Sequence, residues 1–284
     1  MGERIAVAAD TNSGITAEEA KAWGVTLIPM PFFIDGKVYY EGRTLTQADF
    51  YRHLEQNTEI STSQPAPGEV IETWEGLLKH YDRVIYIPMS SGLSSSAASA
   101  RLLAEDFDGK VLVVDNKRIS ATQRQAVLDA LYFVKQGLAA EKIRDILEQT
   151  GLDASIFITV DTLKYQKGGR ITPAAAAVGS VLNIKPVLQI QGDKLDAYKK
   201  VRGWKSARRV MIEALESELA GRFSGKDVWL GTAYSGDPKE GEAWRQTVQE
   251  HFPDYDVYCG VLPLSISCHT GPGALGIGCM VRLY

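Results

Sequence analysis

Short apolar runs alternate with helical patterns through the first half of the chain. Three runs rich in valine and isoleucine, at residues 4–10, 83–89 and 110–115, predict buried strands. Between them, apolar residues recur at a spacing of three or four, as at Val70 and Trp74, and predict helices. This alternation is typical of βα units, so we predict a mostly parallel sheet with flanking helices.

Capping signals mark where two of the helices begin. Thr16 is followed by Glu19, and Ser120 is followed by Gln123. In a capping box, the first side chain accepts from the backbone of the third helical residue, whose own side chain accepts from the cap. We therefore predict helix starts at both places.

Prolines and hydroxyl residues interrupt the strands of the first half. Pro29 and Pro31 fall inside the apolar run at 25–34, which predicts an edge strand or a bent one. Residues 61–69 predict a loop, because polar residues and prolines follow one another there.

The pattern changes near Gly151. Strand-like runs follow at 154–160, 185–200, 227–236 and 255–264, with a hairpin turn at 192–194 and helical patterns at 173–183 and 203–220. We predict an α/β protein of two domains. Residues 1–150 form the mostly parallel domain, and residues 151–284 form an α+β domain with a mixed or antiparallel sheet.

Five serines lie between residues 90 and 96, where an apolar run passes into an alanine-rich helical pattern. One hydroxyl is enough to cap a helix, so capping explains one or two of them. Polar residues also end the other two apolar runs, at 10–11 and 115–116. Strand ends of a parallel sheet meet at its carboxyl edge, where ligands bind in open α/β folds. The remaining serines are expected to hold the loop, face solvent or meet a ligand.

Composition narrows the class of protein. The chain has 284 residues, 45% hydrophobic and 23% charged, which is typical of a globular protein. A net charge of -4 argues against nucleic acid as a partner, since phosphate binding needs clustered lysine and arginine. Three cysteines without a CxxC pair favour a reducing cytoplasm. The first apolar run is too short for a signal peptide or a membrane span.

Several familiar motifs do not fit. Residues 271–276, GPGALG, match a dinucleotide fingerprint, but too little chain follows for the helix and acidic residue it needs, so a glycine-rich turn is expected. The four histidines have no metal-ligand spacing, and no GxSxG elbow occurs.

Ordinary structural roles compete with functional ones for the remaining polar residues. Ser61, Thr62 and Ser63 stand before Gln64-Pro65 and would suit a hydroxyl-stabilised turn. The serines at 90–96 would suit helix capping. His269 suits a buried histidine bonded to the backbone, and Arg170 an ordinary surface arginine.

Six sequence blocks, taken together, resemble the DegV family. They occur in order and span almost the whole chain: TSQPAPGE at 62–69, SSGLSSS at 90–96, LKYQKGGRIT at 163–172, LNIKPVL at 182–188, RGWKSA at 202–207 and HTGPGALGIG at 269–278.

The resemblance implies a two-domain DegV-like fold and a role in lipid binding. DegV-like proteins are cytoplasmic carriers that hold one long-chain fatty acid, and some present it to a fatty acid kinase that forms acyl phosphate. By motif position, Thr62 and Ser94 would bind the carboxylate in the first domain, with the second domain closing over the acyl chain. No catalysis by the chain and no cofactor or metal is expected. A supporting role at the head group falls to Ser63, Arg170, His269 and Thr270.

Two positions depart from the family pattern. The first strand usually ends in Asp-Ser, where this chain has Asp10-Thr11, and the change keeps a hydroxyl. The SSGLS block usually continues with Gly-Thr, where this chain has Ser95 and Ser96. A serine in place of glycine could tighten the loop or alter access to the head group.

Physical chemistry supports the implied ligand. Hydroxyls and helix N-terminal amides can hold a carboxylate without a buried cation. Each charge-assisted hydrogen bond contributes about 1.5 to 3 kcal/mol, whereas about fifteen buried methylenes contribute about 12 kcal/mol before association costs. The apolar segments 28–34 and 173–183 are candidate walls of an interior tunnel, with plain core packing as the alternative.

Two other hypotheses stay open. Ser94 could be the nucleophile of an acyl- or phosphoryl-transfer enzyme, with His269 as its base, although no base-orienting motif accompanies them. A basic cluster could instead be a docking face for an acidic partner or, transiently, an anionic membrane surface, or simply a solvated face. Its members are Lys199, Lys200, Arg202, Lys205, Arg208 and Arg209.

Overall fold

In the computed structural model of the chain, residues 2–56, 58–165, 183–192 and 195–284 are described. The chain divides into two units, Met1–Leu152 and Asp153–Tyr284, and each unit has a hydrophobic cluster of its own. The predicted helix at 173–183 lies, apart from its last residue, outside the described part of the chain.

The described elements of the first unit are seven strands and six α-helices. The strands are β1 (Ile5–Asp10), β2 (Val25–Ile28), β3 (Pro31–Ile34), β4 (Lys37–Tyr40), β5 (Ile60–Thr62), β6 (Arg83–Ile87) and β7 (Val111–Val113). The helices are α1 (Ala17–Trp23), α2 (Gln47–Glu55), α3 (Pro67–Leu78), α4 (Ser96–Ala104), α5 (Ala121–Lys135) and α6 (Ala140–Gln149).

A parallel sheet of four strands, in the order β2-β1-β6-β7, confirms the predicted βα pattern. Strands β1, β6 and β7 are almost wholly buried, as expected when helices cover both faces. On one face, Trp74 of α3 is fully buried and packs edge-on against Tyr86 of β6, with ring centroids 5.6 Å apart. Burial of large aromatic rings is a main source of stability in such a core.

The apolar run at 25–34 is bent into two strands in two different sheets. β2 joins the parallel sheet, whereas β3 lies at the centre of an antiparallel sheet in the order β4-β3-β5. Pro29 falls between the two strands, as expected for a residue that cannot donate to a ladder. The loop predicted at 61–69 is wrong at both ends, because its last three residues begin α3 and Ser61 and Thr62 belong to β5. Three residues are too few for a recognisable alternation.

One predicted capping box is confirmed and the other is wrong. Thr16 Oγ1 accepts from the amide of Glu19 at 3.1 Å, and Glu19 Oε2 accepts from the amide of Thr16 at 3.0 Å. Ser120 precedes α5 at a positive φ of 54° and makes no capping hydrogen bond. The Gln123 amide group instead donates to the buried carboxylate of Asp10, which is a stronger acceptor.

The second unit confirms the predicted mixed sheet. Its described strands are β8 (Ala154–Thr159), β9 (Ile184–Ile190), β10 (Asp196–Arg202), β11 (Val228–Tyr234), β12 (Val257–Val261) and β13 (Leu275–Val281), in the order β10-β9-β8-β13-β11-β12. Only β11 and β12 pair in parallel among the described pairs of this sheet. The described helices are α7 (Trp204–Ala220), α8 (Pro238–His251) and α9 (Leu264–Thr270).

Strand β13 lies inside the mixed sheet but is absent from the sequence prediction. Gly276 and Gly278 interrupt the apolar pattern that would have indicated a strand. The structure requires one of these glycines, because a Cβ at Gly278 would lie 2.7 Å from the backbone oxygen of Ser155 on the neighbouring strand β8. The close approach of two backbones requires a glycine here, and that glycine interrupts the apolar pattern from which the strand would have been predicted.

A buried ion pair ties helix α5 to the last turn of the first unit. Arg118 Nη1 lies 3.7 Å from Asp129 Oδ2, with both side chains almost wholly buried. Arg118 also donates to the carbonyls of Thr150 and Gly151, at 2.8 and 3.3 Å. Burial raises the pKa of Asp129 to about 6, although the hydrogen bond from Gln125 and the charge of Arg118 act to lower it.

We expect Asp129→Asn to change the pH dependence of stability. Folding raises the pKa of Asp129 from 3.8 to about 6, so the folded chain keeps this proton at a pH where the unfolded chain has lost it. The free energy of unfolding therefore falls as the pH rises through this window, by about 3 kcal/mol. Chemical denaturation at about pH 4 and about pH 7 should show the variant gaining most of that amount relative to the parent. Parallel pH profiles would contradict the assignment.

Candidate ligand-binding site

Three strand ends are held together at the carboxyl edge of the parallel sheet. Asp10, at the end of β1, accepts from the amides of Asn12 and Met89 at 3.1 and 2.9 Å, and from the side chain of Gln123 at 2.9 Å. Its full burial raises its pKa, while these hydrogen bonds act to lower it. Asp115, after β7, accepts from the amide of Ser91 at 3.2 Å. The predicted meeting of the three junctions is confirmed.

The serines at 90–96 mostly bond to the loop itself. Ser90 is buried, and its hydroxyl accepts from the amide of Gly92 at 3.2 Å. Ser91 bonds to Lys117 through its hydroxyl. Ser95 precedes α4 but makes no side-chain capping bond, so the capping interpretation is wrong for this residue.

Ser94 forms two hydrogen bonds with Ser96 through its side-chain oxygen. Its hydroxyl oxygen accepts from the amide of Ser96 at 3.1 Å and lies 2.7 Å from the hydroxyl of Ser96, where either oxygen can donate. The amide of Ser94 donates to the carbonyl of Ser90 at 3.1 Å, which fixes the backbone of the loop. Ser94 remains half-buried at the start of a helix.

Thr62 is placed by the antiparallel sheet. It pairs with Phe32 of β3 and therefore shares a face with that fully buried ring, which packs edge-on against Phe50 at 5.9 Å. Ser61 points to the opposite, exposed face. Ser63 is exposed, and its amide donates to the carbonyl of Pro31 at 3.2 Å.

Gln64 connects the segment that carries Thr62 to the segment that carries Ser94. Its Oε1 accepts from the hydroxyl of Ser95 at 3.2 Å and from that of Ser99 at 2.9 Å. Both predicted carboxylate-binding residues thus lie in the first unit, on neighbouring segments joined by one side chain. The sequence analysis did not identify Gln64 or Ser99 as part of this site. The one signal that could have pointed to Gln64 is its position directly after the hydroxyl residues 61–63.

Two of the residues predicted to support the head group lie in the second unit. His269, half-buried, and Thr270, buried, form the end of α9. The glycine-rich turn expected at 271–276 is confirmed for residues 271–274, with φ of 74° at Gly271 and 78° at Gly273, whereas residues 275 and 276 already belong to β13. Ser235 holds this turn, since its hydroxyl donates to the carbonyl of Gly271 at 2.6 Å and accepts from the amide of Ala274 at 2.9 Å.

Other predicted features have a mixed outcome. Arg170 lies outside the described residues. The three cysteines are all in the thiol form. In the described ranges, no group of three or more histidine, cysteine, aspartate or glutamate side chains is arranged to hold a metal ion. No helix in the same ranges has the length and apolar character needed to cross a membrane.

The basic cluster divides between an edge strand and a helix. Lys199, Lys200 and Arg202 are exposed on β10, at the edge of the mixed sheet. The other three members, Lys205, Arg208 and Arg209, follow in α7. Acidic neighbours offset part of this positive charge. Arg208 Nη2 lies 2.8 Å from Glu240 Oε2, and Arg209 Nε lies 3.7 Å from Glu213 Oε1.

A parallel sheet with hydroxyl groups at its carboxyl edge, together with a separate mixed sheet, defines a two-unit α/β protein with a candidate anion-binding loop. A family model described as "Uncharacterised protein, DegV family" matches residues 4–282. The chain therefore belongs to the DegV family. A DegV domain-containing protein of Deinococcus radiodurans is 33% identical over 276 residues, which make up 96% of this chain and 97% of that protein.

Solved structures agree with this assignment. A DegV family protein from Thermus thermophilus, whose structure is described as showing fatty acid binding, has a TM-score of 0.89 and 29% identity, with coverage of 98% of this chain and 100% of that one. DegV from Bacillus subtilis, described as a fatty acid binding protein, has a TM-score of 0.87 and 27% identity, with coverage of 99% and 100%. The predicted DegV-like fold is confirmed.

We expect Gly271→Ala to destabilise the protein more than Gly273→Ala. Both glycines have positive φ, which costs alanine about 1 to 2 kcal/mol or more, and Gly271 also has a ψ of 179°, a combination that almost only glycine adopts. At Gly271 a Cβ atom would also lie 2.3 Å from Cδ2 of Tyr165, whereas nothing lies within 4 Å of a Cβ at Gly273. Urea unfolding of the two variants measures the difference. Equal losses would show that the Tyr165 ring does not restrict the turn after His269.

Proposed function

We propose that the protein binds one long-chain fatty acid, such as palmitate, and that Thr62 and Ser94 donate hydrogen bonds to its carboxylate. Two family members with similar structures over almost their whole length are described as fatty acid binding. Ser63, Arg170, His269 and Thr270 are proposed to support the head group, as the family resemblance implies. The acyl chain would occupy an interior tunnel, with segment 28–34 among its walls.

The hydrogen bonding of Ser94 is the observation that carries the proposal. A hydroxyl has one proton and two lone pairs. When Ser96 donates through both its amide and its hydroxyl, the two lone pairs of Ser94 are used and its proton is left to an outside acceptor. A carboxylate is the strongest acceptor available to such a donor, and the donation from Ser96 strengthens the bond by polarising the hydroxyl.

The same geometry favours a carrier over the alternative enzyme. A nucleophilic serine needs a base that removes its proton. The hydrogen bonds of Ser94 in the described residues lead to a hydroxyl and an amide, and neither group is a base. Neutral donors instead suit reversible binding, in which the acyl chain supplies most of the affinity at about 0.8 kcal/mol per methylene.

A carrier needs a partner that uses its cargo. We propose that the loaded protein presents the carboxylate to a fatty acid kinase, which forms acyl phosphate for phospholipid synthesis in the cytoplasm. The basic cluster on β10 and α7 is proposed as the docking face for an acidic surface, of the kinase or, transiently, of the membrane. Charge reversal at Arg208 and Arg209 should slow kinase-coupled acyl phosphate formation while leaving the retention of fatty acid unchanged.

We expect Ser94→Ala and Thr62→Val to weaken fatty acid binding without unfolding the protein. Each removes one charge-assisted hydrogen bond, so affinity should fall about tenfold or more. Delipidated protein is reloaded with palmitate, and native mass spectrometry measures the fraction that retains it. The matched control is Ser61→Ala, because Ser61 neighbours Thr62 but lies on the exposed face of β5.

Two results would count against the proposal. Equal retention by the parent and both variants would remove the carboxylate assignment. A covalent mass increase after incubation with acyl or phosphoryl donors, abolished by Ser94→Ala, would favour the transferase hypothesis. Retention of a noncovalent ligand with the mass of palmitate supports carriage.

A further inference from the structure

The contact between Gln64 and the start of helix α4 has no role in the function proposed so far. Gln64 lies two residues after Thr62, and the first of its two donors, Ser95, directly follows Ser94. Ser95 and Ser99 are four residues apart and so lie on the same side of the first turn of α4. Both donate to the same oxygen of Gln64, which uses both of its lone pairs.

The backbone on either side of Gln64 is also restrained. The preceding amide, of Ser63, donates to β3, and the following residue, Pro65, is buried. A residue before proline is confined to extended backbone, which limits the directions that the Gln64 side chain can take. The side chain is therefore a short, stiff connection between the end of β5 and the start of α4.

We propose that Gln64 is a positioning residue, which sets Thr62 and Ser94 at a fixed separation so that both can donate to one carboxylate. The inference rests on the proposed function. In this role Gln64 needs no contact with the ligand. It restricts the motion of the two segments that carry Thr62 and Ser94 before the ligand binds. Binding is tighter as a result, because less conformational entropy is lost when these segments close on an anion.

Ser95 supplies the second of the two donors that hold Gln64. A glycine at this position would have no hydroxyl to donate, so Ser99 alone would hold Gln64. The Ser95 hydroxyl is expected to slow the release of fatty acid rather than to create a new contact with it.

The test is a double-mutant cycle on the release rate. Delipidated protein is loaded with ¹³C-palmitate and mixed with excess unlabelled palmitate, and native mass spectrometry follows the exchange. Gln64→Met removes the acceptor at similar size, and Ser99→Ala and Ser95→Gly each remove one donor. The matched control is Ala98→Gly, at an exposed position of the same helix, which weakens α4 by about 1 kcal/mol but removes no hydroxyl.

Each single donor variant loses one net hydrogen bond and should speed exchange about fivefold, and Gln64→Met should do so more strongly because it loses both. Ser99→Ala should have no further effect in the Gln64→Met background, since the bond it removes is already absent. The Ala98→Gly control should exchange at the parent rate. Thermal unfolding of every variant separates these effects from loss of the fold.

Other outcomes overturn the inference. If Ser99→Ala accelerates exchange equally in both backgrounds, or if Ala98→Gly accelerates it as much as the donor variants do, Gln64 has only a structural role. A parent protein that retains no palmitate would refute the proposed function itself. Retention by the parent with unchanged exchange in all variants, whatever their thermal stability, would refute only the positioning role.

Discussion

The buried carboxylate of Asp10 is the interaction on which the arrangement of the first unit depends. It accepts from one backbone amide on its own turn, from one at the end of β6, and from the side chain of Gln123 in α5. A fully buried carboxylate is costly unless donors surround it, so its three donors cannot move independently. The strand ends of the sheet are thereby fixed relative to the helix that covers them.

The loop that carries the serines at 90–96 is fixed by hydrogen bonds at that edge of the sheet. The amide that Asp10 holds belongs to Met89, directly before the first of these serines, and a second carboxylate, Asp115, holds the amide of Ser91. Hydrogen bonds within the loop then set Ser94 before helix α4. Rigid supports of this kind keep a donor in place before a ligand arrives, which is how neutral groups come to bind an anion well. In the second unit, the hydroxyl of Ser235 fixes the glycine turn in a similar way.

Much of the fold could be predicted from the sequence, because its signals are local: the apolar runs indicated the parallel strands, and the Thr16 box is confirmed atom by atom. What failed depended on distant partners. Gln123 bonds to a carboxylate 113 residues away instead of capping its helix. In the candidate site, Thr62 and Ser94 were found by resemblance, and their role stays a prediction. Gln64 could not have been found by spacing, because its donors are 31 and 35 residues away. The contacts that orient these side chains are between residues far apart in the sequence, whereas local sequence patterns predict only secondary-structure elements.

The exposed strand β10 has a consequence for association between molecules. An unpaired edge of a sheet can add a strand from another chain, and this begins many forms of aggregation. Lysines at 199 and 200 and a break in register between Ala197 and Lys199 both oppose such pairing. The positive charge and the break in register on this edge therefore both oppose the addition of a strand from a second molecule.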